Sequence, residues 1–157
     1  MRLYEKELRE YVSLLASYGG KIRLTGPSDP QVLWNEHVVD CLFSVPLLPE
    51  KGSALDVGSG GGLPGMIWAI CRPDLRITLL DSVRKKCGAL RDMASALHLR
   101  NVEVACGRCE EYAAEKREAF QFAAGRAVAA ADVLLEYLSP LAAVSGRLLA
   151  FKGPLYT

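Results

Sequence analysis

The chain has 157 residues, 50% of them apolar and 24% charged, and its 19 basic and 18 acidic side chains leave a net charge of +1. That balance belongs to a folded domain and excludes intrinsic disorder or a fibrous repeat. No apolar run approaches the roughly 18 residues a membrane helix needs, and the charged start Met1-Arg2-Leu3-Tyr4-Glu5-Lys6-Glu7 lacks the apolar stretch of a secretory leader, so a cytoplasmic protein is expected.

Residues 3–18 set Tyr4, Leu8, Tyr11, Leu15 and Tyr18 along one stripe of a helix that Gly19-Gly20 ends. A second helix starts at Asp29 as N-cap with Pro30 in its first turn. Its stripe is Trp34, Val38, Cys41/Leu42 and Val45, and it stops before Pro46 and Pro49. Residues 1–50 are therefore expected to form a helical extension packed on a core.

From Lys51 the pattern alternates. Residues 54–57 predict a strand, followed by a glycine-rich turn and a helix over 64–72 that Pro73 stops. Residues 77–80 predict a strand ending at Asp81, and Ser82 is expected to cap a helix striped by Val83, Cys87, Leu90, Ala94 and Leu97. A strand over 102–105, a helix over 110–116, a strand over 120–124, a helix over 128–141 and a strand over 147–151 complete the order. Such alternation implies a parallel sheet covered on both faces, so residues 51–157 are expected to be a Rossmann-like core in one compact domain with the extension. Ligands of such sheets lie beyond the carboxyl ends of the strands, at the switch point beside the first.

The chemistry concentrates in Asp56-Val57-Gly58-Ser59-Gly60-Gly61-Gly62-Leu63-Pro64-Gly65. Gly58, Gly60 and Gly62 are expected to turn the chain sharply and let a ligand lie on bare backbone. The helix that follows favours negative groups at its start. Asp81, about 20 residues beyond the loop, stands where an acid accepts hydrogen bonds from ribose hydroxyls. Two adenosine cofactors compete. Gly60-x-Gly62-x-x-Gly65 matches the dinucleotide fingerprint, but Gly58 already closes the strand and Pro64 interrupts the motif. Asp56 is unsuited to an anionic pyrophosphate and suits the cationic end of S-adenosylmethionine, which the loop therefore favours over a nicotinamide cofactor.

These segments, with Leu79-Leu80-Asp81-Ser82 and Lys85-Lys86, resemble the GidB/RsmG family of bacterial 16S ribosomal RNA guanine-N7 methyltransferases. The resemblance takes in Leu24-Thr25, Trp34-x-x-His37-x-x-Asp40-x-Leu42, Asn101-Val102, Gly107-Arg108-x-Glu110, Arg126-Ala127 and Lys152-Gly153. It implies a class I S-adenosylmethionine-dependent methyltransferase fold acting on a guanosine in the decoding-region loop of 16S rRNA, free or in a small-subunit particle. Gly58 and Leu63 would then contact the cofactor in the loop. Asp81, with Ser82 beside it, would take the ribose, Cys109 and Glu110 would flank the adenine, and Arg126 would close the pocket. Cys41 stands where the family usually has serine, a small change in a packing helix. The family continues past its Lys-Gly motif through a helix and a final pair of strands. A chain stopping at Thr157 would leave its fifth strand as a bare edge, so a fragment or a covering partner is expected.

Guanine N7 offers an in-plane lone pair and no proton, so no general base is needed and no catalytic side chain stands out; holding the two reactants in line suffices. Arg84, Lys85 and Lys86 sit at a helix start, unfavourable on dipole grounds, which points to RNA phosphate contact or a solvated face. Arg23, Arg126 and Lys152 are further rim candidates. The alternatives are a small-molecule methyltransferase with a closed apolar pocket, a nicotinamide oxidoreductase, and a truncated module that binds cofactor or RNA without turnover.

Other signals carry less. The five cysteines (Cys41, Cys71, Cys87, Cys106 and Cys109) are odd in number and scattered, which predicts reduced thiols. Cys106-Gly107-Arg108-Cys109 has no second CxxC, so no metal site is expected. His37 is expected to be satisfied between extension and core, and Tyr4, Tyr11 and Tyr18 to pack rather than stack on bases.

Overall fold

The computed structural model describes residues 2–126 and 130–151. Helix α1 spans Glu5–Ser17, with Glu5 and Glu7 in its first turn, where the helix dipole favours acids. It buries Leu8, Tyr11, Val12 and Leu15 as one stripe. Helix α2, Pro30–Val32, is capped by Asp29, whose Oδ1 accepts the amides of Gln31 and Val32. It passes through a π-helical turn at Leu33–Val38 into α3, Val39–Leu42. The sequence predicts one regular helix here, because the spacing of Trp34, Val38 and Cys41 fits regular helical turns by itself. Arg9 lies 3.9 Å from the Trp34 ring centroid and ties α1 to that turn.

The remaining elements alternate as predicted: β1 Ser53–Val57, α4 Gly65–Cys71, β2 Arg76–Asp81, α5 Arg84–Ala96, β3 Val102–Cys106, α6 Cys109–Glu115, β4 Phe120–Arg126, α7 Ala131–Leu138 and β5 Ala142–Phe151. Residues 128 and 129 of the predicted last helix lie outside the described residues; α7 ends at Leu138, before the predicted end at 141, and β5 begins at Ala142, before the predicted start at 147. The strands form one parallel sheet in the order β3-β2-β1-β4-β5. Chain order reverses beside β1, which places the switch point at the carboxyl ends of β1, β2 and β4.

Side chains alternate across the sheet. Leu55, Val57 and Leu80 face a layer built with Leu134 and Leu138 of α7, while Ala54, Ile77 and Leu79 face α4 and α5. Every residue of α4 is buried. A helix that is apolar all round needs a second cover, and α1 to α3 supply it. Trp68 of α4 stacks edge-on to Phe122 and donates from Nε1 to Ser44 Oγ at 2.8 Å. The extension and the sheet therefore share one hydrophobic cluster.

Candidate functional site

The loop between β1 and α4 spends most of its amides on the protein itself; those of Gly61 and Leu63 have no partner among the described residues. Gly58 N and Ser59 N both donate to Leu80 O, at 2.8 and 3.1 Å. Gly62 N donates to Ser59 O at 2.7 Å, Gly60 N to Asp81 Oδ2 at 2.9 Å and Gly65 N to Asp56 Oδ2 at 2.9 Å. Gly62 has φ +95°, and a Cβ there would run into Met66. At Gly65 a Cβ would strike Leu79 and Asp56. These two glycines make room for the protein's own packing. Of the loop residues expected to meet a ligand, Gly58 lines the crevice described below, whereas Gly60, Gly62 and Leu63 lie behind it. Leu63 packs into the core with α4.

Asp56 lies beneath the loop. Strand alternation turns it away from the crevice toward α4. It is fully buried, accepts the Gly65 amide, and leaves Oδ1 without a partner. Burial pushes its carboxyl up to about 7, against the pull of the Gly65 N–H. In this structure it holds the loop from beneath.

A crevice of about 370 Å³ opens at the carboxyl ends of β1, β2 and β4. That volume falls in the range of small-molecule sites, roughly 300–1,000 Å³. Gly58, Asp81, Ser82, Cys109, Glu110 and Arg126 line it, together with Lys86, Arg108 and Tyr137. Asp81 ends β2 with its carboxylate on this wall. Its Oδ1 accepts the Val83 amide and its Oδ2 the Gly60 amide, both at 2.9 Å, so it clamps the loop to the start of α5. Ser82 does not cap the helix as the sequence suggested: α5 begins one residue later than the pattern implies, and its N-cap, Val83, makes no side-chain capping bond. Each carboxylate oxygen has two lone pairs, so acceptor capacity remains for hydroxyl groups. Cys109 starts α6; its Sγ contacts Tyr137 O at 3.6 Å, and burial pushes the thiol up to about 11. Glu110 is exposed in the first turn of α6.

Arg126 ends β4. Its Nη2 reaches His37 Nδ1 at 3.0 Å and Asp40 Oδ2 at 3.4 Å, and its Nη1 contacts Cys41 Sγ at 3.1 Å. Cys41 is thus more than a packing residue. His37 lies between extension and core as expected, but its Nε2 is buried without a partner.

Among the basic candidates, Lys86 lines the crevice and Arg84 and Lys85 stand exposed in the first turn of α5. Arg23 lies on a different hollow, of about 560 Å³, within the connection from α1 to α2. Lys152 lies outside the described residues. Sequence reasoning missed Arg108 and Tyr137 as crevice residues. The signal for Arg108 was its place just after β3, where the Gly107 amide donates to Asp81 O at 3.0 Å. Nothing local marked Tyr137. No helix among the described residues is long and apolar enough to cross a membrane.

A parallel sheet of this order, with a crevice beside its first strand and an acid ending its second, is the Rossmann-like fold of class I methyltransferases. Solved structures share it: coclaurine N-methyltransferase, crystallised with N-methylheliamine and SAH, gives a TM-score of 0.64 at 16% identity, covering 90% of this chain and 42% of that one. An rRNA methylase from Streptococcus thermophilus gives 0.55 at 19% identity, covering 71% and 68%. The chain belongs to the GidB family, described as rRNA small subunit methyltransferase G, whose model matches residues 4–157. Similar curated proteins named ribosomal RNA small subunit methyltransferase G include one from Pseudothermotoga lettingae, 41% identical over 149 residues and covered to 64% of its length by 95% of this chain. One from Moorella thermoacetica is 36% identical over 151 residues, with 94% of this chain and 63% of the relative covered. The chain thus spans just under two thirds of the length of these relatives.

Proposed function

We propose that this chain carries the cofactor site of an S-adenosylmethionine-dependent enzyme that methylates N7 of a guanosine in small-subunit ribosomal RNA. The observation that carries the cofactor reading is the crevice wall. Its carboxylate, Asp81, retains free lone pairs, whereas the amides of Gly58, Ser59, Gly60, Gly62 and Gly65 are already bonded within the protein. A pyrophosphate needs such amides; a ribose needs the carboxylate. This argues against a nicotinamide cofactor. Family membership supports RNA as the substrate, and an RNA substrate makes the cytoplasm its place of work. The polar lining, with Lys86, Arg108 and Arg126, favours an anionic polymer over the closed apolar pocket of a small-molecule methyltransferase.

In this reading Asp81 accepts from the ribose, Ser82 and Gly58 border it, Cys109 and Glu110 flank the adenine, and Arg126 closes the crevice. Asp56, Gly60, Gly62 and Leu63 shape the loop from within. When bound, S-adenosylmethionine supplies a methyl group on a cationic sulfur, an electrophile open to direct displacement by a ring nitrogen. The chain's residues contribute orientation and no proton transfer, because N7 carries none. Arg84, Lys85 and Lys86 are the phosphate contacts nearest the crevice, and Arg23 extends them across the extension. An unpaired loop would present the base more readily than a duplex.

Calorimetry with S-adenosylhomocysteine and with NAD tests this. The homocysteine analogue should bind and NAD should not. Asp81→Ala should weaken adenosyl binding by about 1–3 kcal/mol, the cost of hydrogen bonds left unmade. Tight NAD binding with no response to the analogue overturns the assignment.

A further inference from the structure

Arg126 borders the crevice, yet its hydrogen bonds run away from it. All its close polar partners among the described residues come from one helical face of the extension: His37, Asp40 and Cys41, at positions i, i+3 and i+4. An arginine side chain is long and loses much rotamer freedom when fixed. Three partners hold this one over the mouth of the crevice. They are unequal. Asp40 is more than half exposed at 3.4 Å, and a thiol is a weak acceptor. The His37 contact is the short one, at 3.0 Å, and half-buried. It also lies in the π-helical turn Leu33–Val38, a rare irregularity that occurs often at functional sites.

An imidazole that faces a guanidinium at Nδ1 must accept there, so its proton sits on Nε2 and the ring is neutral. We infer that neutral His37 is a positioning residue of the site: it orients Arg126 against the bound cofactor, and the extension thereby takes part in cofactor binding. This rests on the cofactor reading above and adds to it a residue that touches no ligand. Protonation would give the ring a donor at Nδ1 and a positive charge beside Arg126, and the clasp would open.

The charged and titratable groups facing His37 are Arg126 from β4, and Glu36 and Asp40 from its own helical run. Burial and Arg126 hold the ring below the usual imidazole range, with the two acids opposing. Arg126 also feels Asp56. Asp56 titrates at about 7, inside the same window, in every variant, so the His37 effect is read as the difference between wild type and variant and not from either curve alone.

The test uses the whole chain and S-adenosylhomocysteine as probe, in wild type, His37→Asn and His37→Phe. Asparagine presents an acceptor near the Nδ1 position and does not titrate; phenylalanine keeps the bulk without an acceptor. Affinity is measured by calorimetry from about pH 7.5 to about pH 5, reaching below the ordinary imidazole range because the ring is held below it. Wild type should lose affinity as pH falls, approaching about tenfold only once the ring is fully charged, the worth of one hydrogen bond to a charged group. His37→Asn should bind like wild type at the upper pH and fall less than wild type below it. His37→Phe should bind about tenfold more weakly than wild type at the upper pH, with unfolding temperatures of all three recorded alongside. Equal affinity of wild type and His37→Phe at the upper pH, or parallel pH curves for wild type and His37→Asn, overturns the inference. Nitrogen-15 NMR of the imidazole, without ligand, reads the tautomer directly and should show Nε2–H. A protonated Nδ1 at the upper pH also overturns it, and if the probe binds none of the three proteins the cofactor reading itself falls.

Discussion

At the scale of single residues, three carboxylates and an arginine near the first strand have been given different work by the directions they face. Asp56 and Asp81 end or nearly end neighbouring strands, and both accept loop amides. Asp81 keeps a face on the crevice, whereas Asp56 is sealed beneath the loop. The burial has a consequence in pH. A carboxyl raised to about 7 in the folded protein and near 4 when unfolded leaves the folded state holding the extra proton between those values. Its stabilising contribution is full below about pH 4 and is lost as pH rises through about 7. Asp56→Asn cannot ionise and keeps an acceptor for Gly65. Its unfolding temperature relative to wild type should therefore shift in the variant's favour between pH 5 and pH 8, a change that differential scanning fluorimetry can follow. A gap that stays constant with pH would mean that Asp56 is ionised throughout. Asp40, the third carboxylate, braces Arg126 from the extension.

At the scale of elements, the positions of strands and helices were legible because they follow from short-range periodicity. The stripe from Leu8 to Leu15 needed only spacing, and Asp29-Pro30 announced a helix start that the structure caps as expected. What spacing could not reveal was the π turn at Leu33–Val38 or the start of α5 one residue past the expected cap, with Asp81 bonded to the Val83 amide, since both depend on what packs or bonds across the fold. Contacts between elements were equally hidden. Tyr11, predicted only to pack, also donates from its hydroxyl to Gly61 O at 2.7 Å and so pins α1 to the glycine loop. Burial pushes that phenol well above the usual tyrosine range, which keeps it a donor. Tyr11→Phe should cost about 1–2 kcal/mol, because the Gly61 carbonyl loses its partner in the core. Urea unfolding measures this directly, and a loss within the error of the method would show that the carbonyl finds another donor.

At the scale of the whole molecule, a net charge of +1 gives no global attraction for RNA, so any such binding rests on the local group at the start of α5. Replacing Arg84 and Lys85 together by alanine should reduce the slope of log affinity against log salt for single-stranded RNA by about 1.4, as expected for two lost phosphate contacts. Affinity for S-adenosylhomocysteine should be unchanged. An unaltered salt slope would assign these side chains to a solvated face. The sequence by itself determined the order of elements, the parallel sheet, the glycine turn and the acid that ends the second strand. Each is written in a few neighbouring residues through periodicity, backbone freedom or chain reversal. Only the tertiary structure decided that α4 is enclosed on both sides, that Asp56 faces inward, and that Arg126 reaches back across the chain to His37. Those outcomes depend on which faces meet when the extension closes over the sheet, and a side chain's partners in that closure are far from it in sequence.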